Sequence, residues 1–379
     1  MAEARKLRRD RAITWGAAAV LLAGCAHAPL GPGAQKPQEI QFEPVTVTGD
    51  PELAKLNDEE LFAGGSSASA AGEYAQAARY FGRLADFFPQ SAHRAQALLQ
   101  AGLADEKLDR WEEANARFSE LADAGRGQGE ALDAAFRQAE ALYHLERFDA
   151  AVQLLSALSA RADLPPARHL EAVIQRGVCE LEAGRKEEAE ATLRQALDER
   201  DKLADPGEVD PYLVGQADFF LGEIYRLHFE GVAFAPDRDV DQLAKDMEYK
   251  AELLLSAQGH YLRAIRSGNG HWATASGARI GALYESFYDQ VLHAPPPREL
   301  DPAAAGVYRE ELRKKIRVLL SKAIAIYEET LEAAQRLGAQ TPFVEETRER
   351  LKRIKDLLVA DSEADDAPPP APSAPVPKT

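Results

Sequence analysis

Residues 72–89 read GEYAQAARYFGRLADFFP, and this stretch decides the fold. Gly72 punctuates a turn, Tyr74, Ala77 and Phe81 recur at the steps of one helix face, and Pro89 closes the helix. The features return downstream at a spacing of about 34 to 38 residues. Leu98 and Gly102 mark a first helix, and Trp111, Ala114, Phe118 and Leu121 mark a second. Ala139 is followed by Phe148, Ala151, Leu155 and Leu158, and Gly177 by Gly184, Ala189, Leu193 and Ala196. The unit is a helix pair. A small residue on the first helix (Gly102, Ala139 or Gly177) lets the second approach, Ala114, Ala151 or Ala189 meets it, and large apolar residues fill the gaps. Each pair leaves an apolar face that only the next pair covers, so stability is predicted to come from stacking neighbours.

These residues resemble tetratricopeptide repeats over about residues 58–203. Beyond them the pattern is stretched. Leu221, Gly222 and Tyr225 fit a fifth first helix, with Ala257, Tyr261 and Ala264 on its partner, separated by an insertion at 229–246 that holds Pro236 and several aspartates. Ile280, Gly281 and Tyr284 fit a sixth first helix; a second insertion near 293–305 carries Pro295, Pro296 and Pro297 and precedes a long helix with Ala323 and Tyr327. Residues 342–358 have the one-faced pattern of a capping helix, with Phe343, Leu351, Ile354 and Leu357 or Leu358 facing inward. The fold class expected is all-α, an α-solenoid of tetratricopeptide-like helix pairs with two insertions and a C-terminal capping helix. Its divisions are 56–203 for the four regular repeats and 204–360 for the divergent ones, followed by a proline-rich tail, expected to be disordered, at 361–379.

The N-terminus carries a second signal. Arg5, Lys6, Arg8, Arg9 and Arg11 precede an apolar run of about a dozen residues, too short to span a bilayer as a helix, which ends in Leu22, Ala23, Gly24 and Cys25. This arrangement resembles bacterial lipoprotein precursors. The resemblance implies removal of residues 1–24, a covalent lipid on Cys25 as the mature first residue, and a tether over 25–55. Several acyl chains on one residue anchor a protein far more firmly than one. Ala26 in place of an aspartate implies the outer membrane, with the chain on its periplasmic face. With the early repeats, the signal is similar to the barrel-assembly lipoproteins of Gram-negative bacteria, which are shorter and lack the insertions. Residues 272–288 and 319–337 look more like repeat lipoproteins of gliding myxobacteria, some of which serve motility machinery.

Charge narrows the partners. The full chain carries 45 basic and 62 acidic residues, and loss of residues 1–24 leaves 40 against 60. A net charge of −20 repels nucleic acid and anionic lipid, so attachment to the bilayer must come through acyl chains. Cys179 is the sole cysteine besides Cys25, which leaves no intramolecular disulfide and suits a buried structural thiol.

No catalytic signature stands in the mature chain, so no enzyme activity, metal or cofactor is expected beyond the lipid. Gly125, Gly127 and Gly129 fall where two repeats join and suit a loop. Asp237, Asp239 and Asp241 lack the glycine and spacing of a calcium loop, and His228 and His260 lack the spacing of metal ligands. By the resemblance, the first helices line a concave groove that accepts an envelope protein or peptide. Leu99, Leu103, Phe136, Tyr143, Ile174, Val178, Phe219 and Arg226 are the candidate groove residues, each either exposed there or packed between repeats. Glu106, Glu140 and Glu182 around them suit an apolar peptide with a basic flank. The alternative is a lipoprotein that binds glycan or cell-wall enzymes, for which Phe136, Tyr143 and Phe219 would stack on sugars.

Overall fold

A computed structural model describes residues 50–125 and 129–366. The leader, Cys25, most of the expected tether, Gly127 and the tail beyond 366 lie outside the described residues. Within them the chain runs as α1 (Asp58–Ala70), α2 (Tyr74–Phe87), α3 (Arg94–Glu106), α4 (Trp111–Ala124), α5 (Gly129–His144), α6 (Phe148–Ser159), α7 (Pro166–Glu182) and α8 (Lys186–Asp201). Then follow α9 (Pro211–Gly231), α10 (Val240–Arg266), α11 (Gly270–Leu292), α12 (Pro302–Leu337) and α13 (Pro342–Asp366). Odd and even helices alternate as first and second members of six pairs, and α13 caps the last against α12 and α11. The chain is therefore the expected all-α array of tetratricopeptide-like pairs.

One steric lock recurs through all six pairs. The second helix carries a buried alanine and, one turn later, a buried large residue: Ala77 and Phe81, Ala114 and Phe118, Ala151 and Leu155, Ala189 and Leu193, Ala257 and Tyr261, Ala323 and Tyr327. The large residue, rather than the alanine, fills the space above the first helix's small residue. A Cβ added to Gly65 would lie 2.7 Å from the Phe81 ring, on Gly102 2.4 Å from Phe118, on Gly177 2.7 Å from Leu193, on Gly222 2.5 Å from Tyr261 and on Gly281 2.1 Å from Tyr327. In the third pair Ala139 takes the glycine's place and shares a buried cluster with Leu155.

Turns repeat with the same regularity. Within the first four pairs the connection places Gly72, Asp109, Glu146 and Gly184 at positive φ, and the following amide donates back to the carbonyl of Ala68, Asp105, Leu142 or Glu180 at 2.9 Å. These bonds close the end of the first helix. Asp109 and Glu146 hold φ of 55° and 57° without being glycine, at a cost that the closing bonds offset.

The insertions are mostly helix. α10 has 27 residues and α12 has 36, against 12 to 16 in α2, α4, α6 and α8, so irregular chain is confined to 232–239 and 293–301. Asp239 explains the first boundary: its carboxylate accepts the Gln242 amide at 2.8 Å while the Gln242 side chain accepts the Asp239 amide, so 240–246 is the start of a helix. Asp301 likewise accepts the Ala304 amide at 2.8 Å. At the other end of α9, buried Lys250 donates from Nζ to the Phe229 and Val232 carbonyls, both at 2.5 Å, above the Phe229 ring. Burial pulls its pKa down to about 8.

Two boundaries differ from expectation. Leu53 is buried in the first core cluster, and its carbonyl accepts from Arg83 Nε at 3.0 Å, so the folded array begins inside the span assigned to the tether. The capping helix runs on to Asp366, with Ile354 buried and Leu358 packed against the core, while Leu357 is 45% exposed. Among the described residues no helix is long and apolar enough to cross a membrane.

Lys250→Met keeps the apolar stem but leaves two carbonyls at the end of α9 without the ammonium. It is expected to destabilise the fifth pair by about 2–3 kcal/mol, read as a lower melting temperature by circular dichroism; an unchanged melt would mean that the ammonium does not hold this helix end.

Candidate binding groove

Because second helices lock onto one side of each first helix, the opposite side of α3, α5, α7, α9 and α11 is left uncovered by them. Two adjoining pockets open along it. The first, about 420 Å³, is lined by Leu99 and Leu103 of α3, Asp133, Phe136, Arg137 and Glu140 of α5, and Arg168, Glu171 and Gln175 of α7. The second, about 340 Å³, shares Glu140 and Gln175 and continues across Tyr143, Val178, Tyr212, Gln216 and Phe220 to Trp272 of α11. A third, about 700 Å³, lies farther along between α11, α12 and α13, where Glu285 pairs with Arg353 at 2.7 Å.

The expected groove residues divide. Leu99, Leu103 and Phe136 line the first pocket, and Tyr143 and Val178 the second. Ile174 and Phe219 line neither pocket. Ile174 is packed in the α7–α9 core and Phe219 lies against Trp272, ring centres 5.0 Å apart. On α9 the pocket-lining ring is Phe220, one residue beyond Phe219, and both rings lie near Trp272 of α11. Arg226 lines neither pocket; it is held by Glu223 at 2.8 Å and Glu230 at 2.5 Å. Tyr212, Gln216 and Phe220 went unread in the sequence, although they stand four residues apart, the spacing of a single helix stripe.

The first pocket is electrostatically closed upon itself. Arg168 lies over the Phe136 ring at 4.0 Å and pairs with Asp133 and Glu171, each at 2.7 Å. Arg137 pairs with Glu140 at 2.8 Å and reaches Glu106 at 3.7 Å. The Glu106 side chain is only 10% exposed, and its Oε1 has no hydrogen-bond partner. Burial pushes its pKa up to about 7, with Glu140 adding to the rise and Arg137 opposing it.

The second pocket has a different balance. Its one carboxylate lining residue is Glu140, and neither lysine nor arginine lines it. Burial raises the pKa of Glu182, the nearby carboxylate Glu223 adds to the rise, and the hydrogen bond from the Tyr143 hydroxyl works against it. The Tyr143 phenol is pushed up to about 12 by burial and Glu182. Two residues lining this pocket, Gln216 and Trp272, each hold a buried polar atom, Oε1 and Nε1, with no hydrogen-bond partner. Cys179 lies at its base, buried, with burial raising the thiol to about 12.

The other candidates have local roles. Asp239 is a helix cap, Asp237 a turn residue at φ 64° and Asp241 part of the first turn of α10. Tyr225 stacks on His260 at 5.4 Å and meets His228 edge-on at 6.3 Å. Among the described residues no group of three or more histidine, cysteine or acidic side chains is placed to hold a metal.

Fold and face together define a tetratricopeptide-like helical array with a lined first-helix groove. No family model matches the chain, and no curated protein matches it. Solved structures similar to it include the apo form of the quorum sensor NprR from B. thuringiensis, at 14% identity over 80% of this chain and 87% of that one, TM-score 0.42. The Rap protein complexed with Competence and Sporulation Factor matches at 14% identity over 80% and 76%, TM-score 0.37. A tetratricopeptide repeat protein from Parabacteroides merdae matches at 14% over 79% and 98%, TM-score 0.36.

Glu106 sets a pH dependence. Its folded pKa of about 7 stands above the ordinary 4.5, so the folded chain binds the extra proton between those values, and stability falls as pH rises through that window. Glu106→Gln is expected to match the parent near pH 4.5 and to exceed it at pH 8 by roughly 2–3 kcal/mol, measured by urea unfolding; equal stability at pH 8 would contradict the assigned shift.

Proposed function

We propose that the chain is a lipid-anchored adaptor that holds another envelope protein at the periplasmic face of the outer membrane, as part of an assembly or motility complex. The observation that carries the binding half is the pair of adjoining pockets lined almost wholly by consecutive first helices, sharing Glu140 and Gln175. A surface that crosses one helix after another suits an extended segment, whose alternate side chains meet pockets while its backbone runs across the helices. The membrane half rests on Cys25 and on the resemblance of residues 1–25 to lipoprotein precursors. With a net charge of −20 after processing, the mature chain gains little from anionic headgroups, and acyl chains supply the attachment.

One observation favours a second reading, an accessory lipoprotein for glycan or cell-wall enzymes: Tyr212, Phe220 and Trp272 gather at one pocket, as sugar-stacking platforms do.

Crosslinking in living cells separates the two. Photoreactive residues at Leu103, Tyr143 and Phe220 are expected to capture one envelope protein, while Ala191, exposed on the second helix α8, captures none. Equal capture at Ala191, or glycan in place of protein, would contradict the adaptor reading. Cys25→Ser is expected to abolish labelling by palmitate and to move the protein out of the membrane fraction; retention there would remove the lipid anchor from the account.

A further inference from the structure

We propose that the step from the fourth pair (α7, α8) to the fifth (α9, α10) is a hinge on which the second pocket opens and closes around a partner segment. The inference rests on the groove reading above and adds the motion by which the groove admits its occupant.

Three observations meet at this step. The first is the chain between the pairs: residues 202–210 make a nine-residue connection from α8 to α9, whereas the connections at the other steps hold three to six. The second is a missing bridge. Every other step is tied by an ion pair: Arg117 to Asp86 at 2.5 Å, Arg147 to Glu112 at 2.5 Å, Arg185 to Asp149 at 2.6 Å, Arg279 to Glu223 at 3.3 Å and Arg353 to Glu285 at 2.7 Å. Among the described residues none joins α7 or α8 to α9 or α10. Their charges pair at home instead, Arg194 with Glu190 on α8 and Arg263 of α10 with Asp218 of α9. Glu223 of α9, whose cations are Arg226 and Arg279, meets Glu182 of α7 across the step as a like charge. Exposed ion pairs add little stability, but each fixes the spacing of two neighbouring pairs, and that constraint is missing here.

The third observation is space on both faces of the joint. On the concave face lies the second pocket, about 340 Å³, with Tyr143 and Val178 on one wall and Tyr212, Phe220 and Trp272 on the other. Behind it lies a cavity of about 400 Å³, with Arg194, Asp198 and Arg200 of α8 facing Asp218 of α9 and His260 and Arg263 of α10. At 100° per residue, Asp218 stands on the opposite side of α9 from Tyr212 and Phe220, so the two spaces flank the same helix. Between them runs an apolar seam, in which Val209, Ala217, Leu221 and Ile224 share a buried cluster with Leu193 and Ala196 of α8. The Tyr225 hydroxyl adds a polar link, donating to Glu190 at 2.8 Å and accepting from Arg194 at 3.0 Å. A close-packed interface resists displacement because moving it makes atoms overlap. A seam with space on either side can rock: narrowing the concave pocket widens the cavity behind it while the apolar contact is kept.

The test uses the full chain carrying Cys25→Ser, with nitroxide labels on paired cysteines and their separation read by pulsed electron paramagnetic resonance; Cys179 is buried and stays unlabelled. Ala191→Cys with Ser256→Cys, exposed on α8 and α10, straddles the hinge, and Gln153→Cys with Ala191→Cys, exposed on α6 and α8, straddles the step before it. The first distance distribution is expected to be at least twice as wide as the second. Tyr225→Phe keeps the ring on His260 and removes the hydroxyl that links α9 to α8, and is expected to widen the first distribution further. Glu182→Arg sets a cation against Glu223 and is expected to narrow it to the width of the second. Equal widths in the parent chain would overturn the hinge, as would a first distribution that neither variant moves. The hinge and the groove reading fail separately. With equal widths, capture of an envelope protein at Leu103, Tyr143 and Phe220 in cells still supports the adaptor; with a wide distribution and no capture, the hinge stands and the groove reading falls.

Discussion

The close approach of each second helix over a small residue of its first helix is the constraint on which the rest of the structure depends. Ala followed one turn later by a large residue forms the ridge, and Gly or Ala forms the seat. The partners stand sixteen residues apart in the first four pairs and thirty-nine and forty-six apart in the last two, yet the contact is the same in kind. Extra chain is therefore tolerated between the helices but not within the lock. The last two pairs add a polar device to it. Tyr261 donates to Glu223 at 2.5 Å and Tyr327 donates to Glu285, so a ring that fills the seat also fixes a carboxylate beside the next first helix. Glu285 in turn holds Arg350 and Arg353 of α13, which ties the capping helix to the last lock.

That constraint also makes the groove. Since each first helix buries one side against its partner and its flanks against neighbouring pairs, a single stripe per helix is left over, and the stripes lie side by side. Their chemistry is uneven. On α3, α5 and α7 the stripe pairs its own charges, with Arg168 and Arg137 already bound to carboxylates. Toward α9 and α11 the arginines give way to aromatic rings and to buried polar atoms without partners. A partner laid along the face would meet a surface of paired charges first and an aromatic one after it.

Much of the fold was legible in the sequence, because Ala77, Ala114, Ala151 and Ala189 repeat at a nearly constant spacing, and Gly222 with Tyr261 and Gly281 with Tyr327 keep the same residue types when the spacing breaks. The insertions stand out in the sequence because Pro236 and Pro295–Pro297 interrupt the period. Caps at Asp239 and Asp301 restart helices soon afterwards, and those helices draw their stability from packing on α9 and α11 rather than from the repeat. The left-handed turn at Glu146 was not legible, since glutamate does not announce positive φ, whereas Asp109 is of a type enriched there. Of the groove residues expected from the resemblance, Leu99, Leu103, Phe136, Tyr143 and Val178 line the two pockets. Ile174 and Phe219 line neither pocket because neighbouring pairs cover them, Ile174 in the core with α8 and α9 and Phe219 against Trp272 of α11, and the register of a single repeat does not carry those contacts.

The lock is tested most directly where the sequence spacing is least regular, by a double-mutant cycle between Gly281 and Tyr327. Gly281→Ala alone forces a methyl against the Tyr327 ring, and Tyr327→Leu alone removes the ring and its bond to Glu285; the cycle cancels that bond and isolates the contact. The account expects the double variant to be more stable than the sum of the single losses implies, by about 1–2 kcal/mol, because the shorter side chain makes room for the methyl. Strictly additive losses would mean that Gly281 and Tyr327 do not meet, and that the sixth pair is not held by the contact that defines the other five.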